Sequence, residues 1–148
     1  MSLDREWIAA HIPHHGIMCL LDEVVAWTDA DIRCRTASHR MISNPLRSGN
    51  HLKAVCGIEY AAQAMAIHGA LISKRDNVGR RIGMLASVRN VTLHVRRLDD
   101  IHSDLIVSST RISSDENALL YDFTISGDPG VLLSGRSTIV LTFSPPQR

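Results

Sequence analysis

One stretch constrains the fold more than any other: Lys53-Ala54-Val55-Cys56-Gly57-Ile58-Glu59-Tyr60-Ala61-Ala62-Gln63-Ala64-Met65-Ala66. Its alanines favour a helix, and it is apolar almost all the way round. A helix with no wet face is a buried one. Glu59 and Gln63 nevertheless stand four residues apart in it, on one face. Burying an unpaired carboxylate is costly, so the stretch predicts a core helix that carries a site. The helix is expected from about Val55 to Ser73, with Lys74 and Arg75 suiting its C-terminal end. Ala61, Ala62, Ala64, Ala66 and Ala70 keep it slim, as a helix wrapped by a sheet requires.

A chain of 148 residues suffices for a single domain, 1–148, with a real core. With 45% hydrophobic and 21% charged residues it has the balance of a soluble globular protein. A formal net charge of +1 gives no electrostatic case for nucleic acid or an anionic membrane as main partner. Cys19, Cys34 and Cys56 are odd in number and lack zinc spacing, which suggests a reducing compartment and a cytoplasmic location. Asp4 and Glu6 precede any apolar run, so no signal peptide is expected, and no apolar run is expected to span a bilayer.

Asp4 is placed to cap a short helix over Arg5 to Ala10, which Pro13 ends. Leu21 to Trp27 reads as a first strand. Ile32, Cys34 and Thr36 alternate with Arg33 and Arg35 in a second. Asn44-Pro45 to Asn50 is a loop rich in turn formers, and Asn77 to Gly83 is a basic, glycine-containing connection. Beyond it the period changes to two. Strands are expected over Val91–Val95, Leu105 to near Ile112, Leu119–Ile125 and Ile139–Phe143, with turns at Ser114–Asn117 and Asp128-Pro129-Gly130. Short turns between consecutive strands predict an antiparallel meander. One helix cannot cover a sheet this size unless the sheet curls around it. The expected fold is therefore α+β, a curved antiparallel sheet wrapped around one long central helix. The tail Pro145–Arg148 is expected to fray.

Two stretches resemble a known family. Ile12-Pro13-His14, followed by Leu20-Leu21-Asp22-Glu23-Val24, is similar to the first loop and strand of the FabA/FabZ-type 3-hydroxyacyl-carrier-protein dehydratases. Gly57-Ile58-Glu59-Tyr60-Ala61-Ala62-Gln63-Ala64 is similar to their central helix. The ApeP-like branch, found with aryl-polyene and related fatty-acyl pathways, is the best match, and the likeness covers essentially the whole chain. It implies the hotdog fold and dehydration of carrier-bound 3-hydroxyacyl thioesters to 2-enoyl thioesters, without a cofactor. The implied partners are an acyl carrier protein with its phosphopantetheine-linked chain and a second hotdog subunit, in a homodimer or a heterodimer. The chain departs from the main family in two places. Pro45 stands where a histidine is usual, and Lys53-Ala54 replaces Pro-Gly ahead of the helix.

Such a dehydration needs a base for the C2 proton, an acid for the C3 hydroxyl and a donor for the thioester carbonyl. The amides of Ala54 or Gly57, at the positive end of the helix, are the candidate donors. Glu59 is the candidate acid, its pKa expected to rise with burial; the alternative is a carboxylate that merely fixes loop backbone. The resemblance places the Ile-Pro-His loop near the site mouth, making His14 the candidate base, with His15 next and His51 a solvated outsider; a loop-anchoring role is the alternative for His14. Gln63 would bind substrate, orient Glu59 or a water, or else satisfy buried backbone. Cys56 reads as a packed small residue. His68 reads as a core or interface histidine, and His39, His94 and His102 as facing solvent or the sheet surface. His11, His14 and His15 lack the acid or cysteine that a metal site would need. Lys74, Arg75, Arg80 and Arg81 form a basic cluster that would suit an acidic carrier, although ordinary solvated charge after a helix is the favoured explanation. Two other readings remain: a non-catalytic hotdog partner, favoured by Pro45, and an acyl thioesterase, disfavoured by the Ile-Pro-His stretch.

Overall fold

The computed structural model describes residues 3–79 and 81–143. Arg80, the Arg81 side chain and the tail Pro145–Arg148 lie outside the described residues. A short helix α1 (Arg5–His11) is followed by strands β1 (Glu23–Trp27) and β2 (Asp31–Thr36), the long helix α2 (Gly57–Arg75), and strands β3 (Arg81–Leu93), β4 (Leu105–Ser114), β5 (Ala118–Gly127) and β6 (Gly130–Phe143). The strands form one antiparallel sheet in the order β1-β2-β4-β5-β6-β3.

The meander holds only for β4, β5 and β6. β3 crosses to the far edge and pairs with β6. The segment from β3 to β4 is no short turn. Leu98 and Ile101 anchor it in the core, and Leu98 N donates to Leu52 O at 2.8 Å. β3 also begins ten residues before the expected Val91. Its register shifts between Leu85 and Ser87 and again between Arg89 and Thr92, and Asn90 has φ +55°. Each bulge inserts a residue and breaks the alternation that marks a strand.

α1 starts where Asp4 accepts the Trp7 amide at 3.0 Å, a cap worth about 1 kcal/mol. α2 ends in a Schellman turn: Asn77 is left-handed at φ +53°, and Val78 N reaches Ser73 O at 3.1 Å. One face of α2 buries Tyr60, Ala61, Ala64, Met65, Ile67 and Leu71 against the sheet. Burial of each large apolar side chain contributes about 1.5–3 kcal/mol. Gly57 comes so near the sheet that a Cβ there would lie 2.8 Å from Leu133 Cδ2. This curved sheet around one helix is the hotdog arrangement. Ala54–Arg75 is long and apolar enough to cross a bilayer by length and composition, contrary to the expectation, but half of its most apolar window is buried, as a core helix requires.

Two histidines sit in the core. His39, expected at the surface, is fully buried with Nε2 3.0 Å from Ile101 O. His68 is also fully buried, between Tyr121 OH at 2.7 Å and Thr28 O at 2.8 Å. Burial lowers the pKa of both below the ordinary histidine value. His94 and His102 are exposed.

Candidate active site

The loop after α1 carries the first half of the site. Ile12, ahead of Pro13, is extended at φ −119° and ψ 160°, as a residue before proline must be. Gly16 takes φ +59°, a conformation that glycine adopts without strain, and opens the 3₁₀ turn Gly16–Met18. This path brings His14 over the first turn of α2. His14 Nε2 lies 3.0 Å from Glu59 Oε1. The other ring nitrogen, Nδ1, is buried without a hydrogen-bond partner among the described residues.

Glu59 is not the enclosed acid that the helix pattern predicts. Its side chain retains 35% exposure and that of His14 27%, because the turns below Glu59 face a groove rather than the sheet. Ala62, Ala66, Gly69, Ala70 and Ser73 follow Glu59 down one stripe of α2 and line this groove. Leu85, Leu119, Ile139 and Leu141 from the sheet line it too, and its volume is about 890 Å³. That is within the range of small-molecule sites. The alanines, read as contacts for wrapping backbone, are thus divided: Ala61 and Ala64 pack inward, whereas Ala62, Ala66 and Ala70 form the groove wall.

Gln63 does not line the groove. It is fully buried, donates to Met18 O at 2.8 Å and accepts the Leu20 amide at 2.9 Å. A longer contact of 3.4 Å joins its Nε2 to Glu59 Oε1. Its place is the backbone-satisfying and Glu59-orienting one, not that of a substrate contact. Ala54 and Gly57 are likewise corrected as carbonyl donors. The Ala54 amide is spent on Arg96 O at 3.0 Å, and that of Gly57 on Ala54 O and Val55 O in the 3₁₀ turn before α2. The tight entrance to the helix consumes the donors that an open first turn would have left free. His15 and His51 are exposed and do not line the groove. Burial pushes the Cys56 thiol up, away from a reactive thiolate. Among the described residues no three His, Cys, Asp or Glu side chains converge on a metal position. Arg75 is committed to Asp29 and Asp76; among the described residues Lys74 and Arg111 line the groove.

Sequence reasoning missed the polar groups behind the pair. Ser38, Asn44 and Tyr60 meet beside Leu20, all buried. The hydroxyl-bearing Tyr60 next to Glu59 in an apolar helix is the one signal that pointed there.

The family model described as ApeP-like, ApeP dehydratase, matches residues 6–147. Among solved structures, the dehydratase heterocomplex ApeI:P from Xenorhabdus doucetiae superposes with a TM-score of 0.79 at 25% identity, covering 99% of this chain and 93% of that one. A thioesterase from Haemophilus influenzae gives a TM-score of 0.61 at 12% identity over 85% of this chain and 81% of that one. A mutant thioesterase from Pseudomonas aeruginosa gives 0.60 at 15% identity over 82% and 81%. These two show the shared fold alone. No curated protein matches the chain.

Proposed function

The chain belongs to the ApeP-like dehydratase family, and from that premise we propose that it removes water from 3-hydroxyacyl thioesters presented by an acyl carrier protein. The observation that carries this reading is the 3.0 Å contact between His14 and Glu59 at the head of an apolar-walled groove. One proton shared along that contact balances the reaction. Glu59 gives it to the C3 hydroxyl, which leaves as water. The freed His14 Nε2 takes the C2 proton while the C2–H electrons form the double bond. Histidinium and carboxylate then share the proton again, and the pair is reset. The groove below suits an acyl chain, and Lys74 on its rim suits an anionic carrier. The three free cysteines fit a reducing, cytoplasmic setting.

A specific observation favours a partner-dependent form of this reading. β3 is an edge strand of 13 residues, and Met84, Leu85, Val91 and Leu93 on it are exposed. An apolar edge of this length is a template for pairing with another chain. The similar solved structure is a heterocomplex, so a second hotdog subunit is the proposed occupant. In that assembly this chain is either the working subunit or an acyl-binding one whose partner supplies the histidine absent at Pro45. The test is to give the purified chain a carrier-bound 3-hydroxyacyl thioester, alone and with a hotdog partner subunit, and to follow the 2-enoyl product. Turnover supports dehydration. Release of free carrier thiol instead would mark a thioesterase.

A further inference from the structure

Among the described residues the His14 ring makes one hydrogen bond, to Glu59, so its position rests on the loop that carries it. That loop is fastened from behind by a continuous buried chain. Gln63 grips Met18 O and Leu20 N. Leu20 O accepts from Ser38 Oγ at 2.7 Å and from Thr36 Oγ1. Ser38 Oγ lies 2.9 Å from Tyr60 OH, and Tyr60 OH lies 2.8 Å from Asn44 Nδ2. Asn44 Nδ2 also reaches Ser38 O at 2.9 Å, while its Oδ1 accepts the Leu46 amide at 2.9 Å.

Hydrogen directions along the chain are forced. An amide nitrogen only donates, so the Tyr60 oxygen accepts from Asn44 and its own hydrogen turns to Ser38. The Ser38 hydrogen then goes to Leu20 O. Flipping the Asn44 amide would set its oxygen against the Ser38 carbonyl and strand the Leu46 amide. The Asn44–Tyr60–Ser38 run is therefore satisfied in one direction only, while the Thr36 hydroxyl hydrogen has two acceptors, Leu20 O and Ser38 Oγ. A buried polar network whose members are satisfied rigidifies its surroundings and gives them a defined geometry.

We infer that Tyr60, Ser38 and Asn44 are positioning residues. Through Leu20 and Gln63 they set the distance between the loop bearing His14 and the helix turn bearing Glu59. The catalytic consequence rests on the dehydratase reading above; the geometric one does not.

The test is a set of ¹⁵N-histidine spectra of Tyr60→Phe, Ser38→Ala and Ser38→Thr, with Tyr121→Phe as a matched control. Tyr121 is an equally buried tyrosine whose hydroxyl serves His68, outside this chain of bonds. The expected result is a displaced His14 Nε2 signal in Tyr60→Phe and Ser38→Ala, restored in Ser38→Thr and unmoved in Tyr121→Phe. Turnover should follow, with kcat down about tenfold or more and KM changed less than about twofold in the displaced variants. An unmoved Nε2 signal in a folded Tyr60→Phe or Ser38→Ala would overturn the inference, as would equal displacement in Tyr121→Phe. Wild type without turnover, both alone and with a hotdog partner subunit, but with the expected spectral pattern would sink the dehydratase reading and leave the positioning role standing.

Discussion

His14 Nε2 and Glu59 Oε1 stand 3.0 Å apart although 45 positions of chain separate them. Neither residue is enclosed, so their meeting is no by-product of core packing. A proline-extended loop from one side and the first turn of the central helix from the other bring them together over a groove. A third-exposed pair of this kind adds little to stability. In the proposed dehydration its value lies in what it does with a proton.

The closeness of helix to sheet predicts a steric cost at Gly57. A methyl group there would meet Leu133 Cδ2 at 2.8 Å and Ile125 Cδ1 at 3.0 Å, both in fully buried side chains. Gly57→Ala should destabilise by about 1–3 kcal/mol, or about 2–4 °C of melting temperature per kcal/mol. Thermal unfolding followed by circular dichroism checks it. An unchanged transition would show that the helix has freedom to lift.

Acid should unfold the protein through its buried histidines. Burial is the largest influence on His68; the Thr28 carbonyl opposes it, Arg111 adds to it, and Asp29 and Asp31 oppose it. His39 follows the same direction, also chiefly by burial. A histidine pKa lowered by folding means that the unfolded chain binds the proton more tightly. Stability is therefore complete above about pH 6.5, the ordinary histidine value, and declines as pH falls below it. Urea midpoints at pH 8, 7, 6 and 5 should be level at first and then drop. A midpoint that rises on acidification would contradict the burial of these two rings.

The exposed edge makes a prediction about assembly. Met84 on β3 is 61% exposed and does not line the groove. Met84→Lys should leave the stability of the isolated chain within about 0.5 kcal/mol, yet weaken association with a second hotdog subunit about tenfold or more, because a charge is stranded in an apolar contact. Sedimentation velocity at several concentrations measures this, and unchanged association would place the interface elsewhere.

Much of this architecture was legible in the residues. Asp4, Pro13, the apolar run around Glu59 and the period-two runs after Leu105 each carry a local rule that the structure obeys. Local rules failed where tertiary contacts decide. The β3 strand was hidden because two bulges break its alternation. Its place at the far edge depends on the anchored segment around Leu98, which has no periodic signature. The amides of Ala54 and Gly57 looked free because nothing in the sequence announces the 3₁₀ turn and the Arg96 carbonyl that consume them. Glu59 looked buried because an apolar helix does not reveal which stripe faces an open groove. His39 looked superficial because a histidine in a polar stretch gives no sign of the carbonyl that receives it.

Turnover of variants in the active preparation tests whether His14 and Glu59 work as one proton-handling pair. Initial rates of 2-enoyl formation from a carrier-bound 3-hydroxyacyl thioester should fall about 10²-fold or more in both His14→Ala and Glu59→Gln. The double variant should be little worse than either single one, as expected of residues that act as a unit. A single variant that keeps wild-type turnover would contradict the pair, and losses that multiply in the double variant would show two independent roles instead of one shared proton.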